Sequence, residues 1–176
     1  MQPLIVKIKN LLENSSPAFQ PEFDKNILGR TCNLYAERKA NISGRDFLFL
    51  FDLDKLPTDL NSLKAVHEDA RKYANSFYRL PKWMRFKCPN ITTLFLSSKP
   101  VSDELIDWSS EPTRSGLGGE FHSVFFFDLS HKKIYGQGKN RVRVKGVPLV
   151  SSIEFKNIDP QNRSHILVEK MGEAIF

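Results

Sequence analysis

A chain of 176 residues is the usual size of one folded domain and can bury a core without a disulfide or a metal. Its 40% hydrophobic and 26% charged residues exclude an intrinsically disordered protein. Lys and Arg outnumber Asp and Glu by 26 to 20, and the net charge of +6 favours anionic partners if the excess lies on one face.

The distribution of apolar residues bears on location. No apolar run approaches the roughly 20 residues of a membrane span, and Lys7 and Lys9 interrupt the N-terminal segment before it reaches signal-peptide length. We therefore expect a cytoplasmic protein without membrane association. Cys32 and Cys88 form no CxxC or Cys/His pattern, which is typical of small core residues in a reducing compartment, although a disulfide between them stays open.

The first third of the chain predicts a helix and a hairpin. Apolar residues at helical spacing predict a helix over residues 3–13. Two strands are predicted over 27–39 and 45–53, joined by a turn at 41–44. The run Phe47–Phe51 is continuously apolar rather than alternating, which indicates a strand covered on both faces.

The middle of the chain predicts strands alternating with helices. Asp59 or Asn61 can cap a helix that runs to about Tyr78, with Leu63, Val66 and Phe77 in one buried stripe. Further predicted elements, in chain order, are a strand at 91–97, a helix at 100–108, a strand at 121–129, a returning strand from 134, an added strand within 141–149 and a helix at 160–176.

This order predicts an α/β (α+β) fold: one domain over residues 1–176, with a mixed sheet, hairpins near both ends and helices on at least one face. The strands at 47–51 and 124–127 are expected in the interior of one sheet, beneath the helix at 60–78. Helix packing should then cover Leu63, Val66 and Phe77.

The basic residues are concentrated in residues 130–145, which hold six Lys or Arg and no acid. Lys133 lies at the start of this segment. In an extended strand, Arg141, Arg143 and Lys145 share one face and the intervening valines share the other, and such a cationic face attracts phosphates. The alternative is that these cations protect an edge strand from aggregation.

A second segment without acids, residues 79–87, combines cations with aromatic rings. Arg79, Lys82 and Arg85 surround Trp83, and rings beside cations are able to stack on bases. In the alternative interpretation, Trp83 and its apolar neighbours fill the core while the cations face water.

Glu37-Arg38-Lys39 is similar to the ExK motif of the PD-(D/E)xK nucleases. The resemblance implies a Mg²⁺ site in which Glu37 and an upstream acid, here Asp24, hold the metal while Lys39 orients the attacking water. The sequence departs from the family because a second strand, 45–53, intervenes between the motif and the helix at 60.

A glycine-rich segment and a group of histidines predict no phosphate or metal site. The glycines of residues 115–120 lead into a strand rather than a helix, so they do not form a phosphate-binding loop. His122, Asp128 and His131 belong to one predicted hairpin, but His122 and Asp128 lie about 20 Å apart along an extended strand, too far for a shared metal. The sequence therefore predicts no metal ion and no cofactor.

The leading hypothesis is a non-catalytic protein that binds nucleic acid or another polyanion through a basic surface. Its predicted binding residues are Arg79, Lys82, Trp83, Arg85, Lys133, Arg141, Arg143 and Lys145. A metal-dependent nuclease using Asp24, Glu37 and Lys39 is one alternative, and a protein-protein interaction module is another. The sequence leaves catalytic activity, the identity of the partner and the oligomeric state open.

Overall fold

The computed structural model of the protein describes residues 1–40, 44–81, 84–85, 88–110, 120–136 and 160–176. Its four helices are α1 (Gln2–Glu13), α2 (Leu60–Ser76), α3 (Asp103–Ser110) and α4 (Pro160–Ile175). The strands are β1 (Gln20–Ile27), β2 (Arg30–Ala40), β3 (Gly44–Asp52), β4 (Asn90–Ser97), β5 (Phe121–Asp128) and β6 (Lys133–Gly136).

These strands form one mixed sheet whose spatial order follows the chain, from β1 to β6. β1, β2 and β3 pair antiparallel, β3, β4 and β5 pair parallel, and β6 returns antiparallel beside β5. The α+β fold, the mixed sheet and the hairpins near both ends are thus confirmed. The crossover helices α2 and α3 connect the parallel strands, as parallel pairing requires.

Helices cover both faces of the sheet. On one face, α2 and α3 pack on the aromatic side chains of β3, β4 and β5, among them Phe49, Phe95 and Phe126. On the other face, α1 and α4 pack on aliphatic residues of the same strands together with Phe125 and Phe127. The continuously apolar run Phe47–Phe51 is therefore buried on both sides, as its composition predicts.

The structure corrects two sequence predictions. β1 was not predicted, because its segment is polar and most of its side chains are exposed at the sheet edge. Phe77 is not covered by helix packing: α2 ends at Ser76, and Phe77 follows as its C-cap with 41% of its surface exposed. Leu63 and Val66 are buried as predicted. The turn at 41–43 and the added strand within 141–149 lie outside the described residues.

Cys32 is buried and Cys88 is partly exposed, and both are free thiols. Burial raises the pKa of the Cys32 thiol to about 12, so this cysteine stays a neutral core residue. Within the described residues, no helix combines the length and apolar character needed to cross a membrane.

The buried stripe of α2 can be tested with Leu63→Ala. Leu63 is fully buried against the aromatic face of the sheet, so we expect its truncation to lower the free energy of unfolding by about 2–5 kcal/mol. Leu28→Ala is the control, because Leu28 is 57% exposed and should change stability by less than about 0.5 kcal/mol. Urea unfolding of both variants measures the difference, and equal stabilities would contradict the packing described here.

Candidate nucleic-acid interface

The chain beyond α2 exposes an unusual amount of apolar surface. Phe77 is 41% exposed, Leu80 51% and Met84 44%, which makes this the densest group of exposed large apolar side chains in the described part of the chain. Residues 77–88 contain no acid. Exposed apolar groups that cluster in this way mark interaction sites more often than scattered ones do.

Arginine side chains lie on the aromatic rings of this region. The guanidinium carbon of Arg45, from the start of β3, lies 5.3 Å from the centroid of the Phe77 ring. That of Arg85 lies 4.9 Å from the centroid of the Tyr78 ring. Arg79 is exposed beside them. We call this region the Arg/aromatic surface; it comprises Arg45, Phe77, Tyr78, Arg79, Leu80, Met84 and Arg85.

Hydrogen bonds hold the Arg/aromatic surface against the sheet. The Tyr78 hydroxyl accepts a 3.1 Å hydrogen bond from the backbone N–H of Arg45. Gly44, just before it, has φ +98°, and a Cβ there would lie 2.8 Å from the Cys88 carbonyl oxygen and 2.9 Å from the Tyr78 hydroxyl. Only glycine permits this approach, which fixes Arg45 beside Phe77.

A network of hydrogen bonds holds the Arg85 side chain. Its Nε donates to the Leu80 carbonyl at 2.8 Å, and its Nη1 donates to the side-chain oxygen of Asn75. Asn75 in turn donates to Glu120, a buried carboxylate that also accepts from Arg71 of α2. The Arg85 guanidinium is therefore fixed in place, which lowers the entropic cost of using it to bind a ligand.

The structure unites only part of the predicted basic surface. Arg79 and Arg85 belong to the Arg/aromatic surface, whereas Lys133 pairs with Asp128 at the far end of β5. Asp128 lies seven positions along β5 from Phe121, a distance of roughly 23 Å. Outside the described residues lie Lys82, Trp83, Arg141, Arg143 and Lys145.

Sequence reasoning missed Arg45 and Phe77 as members of this surface. Phe77 continues the helical spacing of α2 and was assigned to the core, and Arg45 is 32 positions away in the sequence. The one available signal is the acid-free run after Ser76, because Phe77 stands inside it.

The sheet register separates the residues of the nuclease hypothesis. Glu37 pairs with Gln20, whereas Asp24 lies between the pairs Phe23–Leu34 and Lys25–Cys32, roughly 13 Å further along β1. The Glu37 carboxylate accepts a 2.7 Å hydrogen bond from Tyr35 and lies 3.5 Å from Arg45. Lys39 pairs with Arg45 near the end of β2. This arrangement gives the nuclease hypothesis no support.

Of the three residues considered for a shared metal, His122 lies apart from Asp128 and His131. Asp128 accepts from Ser130 at 2.6 Å and lies 2.9 Å from Nδ1 of His131, within one tight turn. His122 lies at the other end of β5, where it contacts His67 of α2. In the part of the chain that the structure describes, no three His, Cys, Asp or Glu side chains converge as a metal site.

Comparison with known proteins adds no functional information. No protein-family model, no curated protein and no solved structure matches this chain.

Gly44→Ala tests how tightly the Arg/aromatic surface is anchored. The added Cβ meets backbone and hydroxyl atoms at 2.8 and 2.9 Å, in addition to the cost of a positive φ. Gly29→Ala is the matched control, because Gly29 has φ +88° but no atom within 4 Å of the added Cβ. We expect Gly29→Ala to cost about 1–2 kcal/mol of unfolding free energy and Gly44→Ala about 1–3 kcal/mol more. Equal costs by chemical unfolding would show that the close approach is unimportant.

Asp128 gives a testable dependence of stability on pH. Burial raises its pKa, but hydrogen bonds from Ser130, His131 and the Val101 N–H outweigh burial and hold the pKa of this carboxyl below 3.8. A carboxyl with a lowered folded-state pKa stabilises the fold above its unfolded pKa of about 3.9 and loses this contribution as the pH falls through the folded value.

We therefore expect Asp128→Asn to lower unfolding free energy at pH 7 by about 1–3 kcal/mol and to flatten its acid dependence below about pH 4. Asp59→Asn is a control at an exposed helix cap, where the loss should be smaller. Urea unfolding at pH 7, 4 and 3 measures both effects. A wild type and an Asp128→Asn variant with parallel pH profiles would contradict the assignment.

Proposed function

We propose that this protein binds single-stranded nucleic acid through the Arg/aromatic surface, without catalysis. The observation that carries the proposal is the Arg45 guanidinium 5.3 Å above the partly exposed ring of Phe77, the residue that begins the acid-free run 77–88. Bases stack on guanidinium planes and on rings, and the same cations attract the phosphates between the bases.

The neighbouring groups match the same ligand. The exposed side chains of Leu80 and Met84 offer apolar contacts to base faces, and the exposed Arg79 offers a phosphate contact. Unstacked bases exist in single strands, whereas a duplex presents its phosphates and keeps its bases paired. The combination of apolar and cationic groups therefore favours a single strand over a duplex.

The test is fluorescence anisotropy with a mixed-sequence single-stranded oligonucleotide, titrated at several salt concentrations. Each phosphate contact contributes about 0.7 to the slope of log affinity against log salt, so Arg45→Gln with Arg79→Gln should reduce the slope by up to ~1.4. Phe77→Ala should instead weaken binding by about 1–3 kcal/mol with little change in slope, because it removes stacking without a charge.

Lys64→Gln with Lys72→Gln is the matched control, since both lysines are exposed on α2 and neither belongs to the Arg/aromatic surface. It removes the same charge and should leave affinity and slope close to the wild type. Absence of binding at ~50 mM salt, or equal losses in the two double variants, would refute the proposal.

The segment 130–145 is tested separately. Replacing Arg141, Arg143 and Lys145 by Gln should lower the salt slope by up to ~2.1 if these cations contact phosphates. An unchanged slope would leave protection of a sheet edge as their role, and the Arg/aromatic surface would then be the whole binding site.

A further inference from the structure

Two histidines that are 55 positions apart meet between α2 and the sheet. Nε2 of His67 lies 3.1 Å from Nδ1 of His122, which belongs to β5. The other nitrogen of His67, Nδ1, lies 2.8 Å from the hydroxyl oxygen of Thr93 on β4. His67 is buried and His122 is partly exposed, so solvent reaches the pair from one side.

We propose that His67 and His122 form a binding site for a divalent transition-metal ion such as Zn²⁺ or Co²⁺. Ligand atoms about 2.0–2.1 Å from one ion lie roughly 2.9 Å apart at a right angle and roughly 3.3 Å apart at the tetrahedral angle. The observed separation of 3.1 Å falls between these values. Water completes the coordination on the exposed side of His122.

The surroundings of His67 orient its lone pair toward this ion. When Nδ1–H donates to Thr93, Nε2 carries the lone pair that faces His122. Such a hydrogen bond from the second nitrogen is the usual companion of a metal-binding histidine.

Two carboxylates surround the cationic side chain nearest to His67 on α2. Arg71, one turn along α2 from His67, forms ion pairs with both Glu68 and Glu120. At His67, Glu120 partly offsets the positive charge of Arg71. A divalent ion there would connect α2 to β5 across β4.

Trp108 provides an optical probe, because its ring centroid lies 6.2 Å from that of His67. The chain has two tryptophans, so Trp83→Phe leaves Trp108 as the single tryptophan. In this variant, Co²⁺ should quench the Trp108 fluorescence, and the quenching should saturate at one ion per chain. Zn²⁺ does not quench, so adding Zn²⁺ should displace Co²⁺ and restore the fluorescence. Quenching without saturation up to about 1 mM Co²⁺ would refute the site and leave an ordinary hydrogen bond between the two histidines.

Variants then locate the ion. His122→Gln should weaken Co²⁺ binding at least 10-fold, and Thr93→Val should weaken it about 10–100-fold by releasing the orientation of His67. His131→Gln is the matched control, because His131 is an exposed histidine in the β5–β6 turn, and it should leave binding unchanged. Circular dichroism checks that each variant is folded. Equal affinities of wild type and folded His122→Gln would overturn the assignment.

Discussion

The three parallel strands β3, β4 and β5 are apolar on both faces, and this property governs the rest of the structure. The run Phe47–Phe51 of β3 has Phe or Leu at every position and cannot leave either face in water, so two layers of helices are required. α2 and α3 supply one layer as crossover connections, while α1 and α4 supply the other. The antiparallel strands at the margins carry most of the exposed polar side chains of the sheet.

The buried carboxylates lie at or near the ends of the strands. At the start of β3, the buried Asp46 accepts from Arg38 and from Arg163, each at 2.8 Å. Glu120 precedes β5 and accepts from Arg71, and Asp128 ends β5 within its own turn. Each buried carboxylate has several donors, as burial of a charge demands. The Arg/aromatic surface lies at the same end of the sheet as Asp46.

The sequence predicts most of the fold because its strongest patterns are local. The stripe of α2 and the apolar run of β3 can be identified without knowledge of their partners. The sequence does not predict β1, because the strand conformation of Gln20–Ile27 depends on pairing with β2 and not on the composition of the segment. Phe77 fits the helical spacing but stands one residue beyond the end of α2, where its ring is only half covered.

The candidate sites are less predictable, since each joins residues from distant parts of the chain. Arg45 reaches Phe77 only through the close approach at Gly44, and His67 meets His122 only through the crossover that places α2 over β4 and β5. The composition of residues 79–87 draws attention to a basic segment, and Arg79 in it is exposed. Composition gives no means of identifying Arg45 as the cation that lies on the Phe77 ring.

The position of α4 in the chain has a consequence for biosynthesis. This helix covers Phe125 and Phe127 and contributes Arg163 to the buried Asp46, yet it is synthesised after all six strands. On the ribosome, the sheet therefore emerges with α2, α3 and α1 available but with part of one apolar face still open. Until residues 160–175 leave the exit tunnel, that face is a target for chaperones that bind exposed aromatic and aliphatic groups.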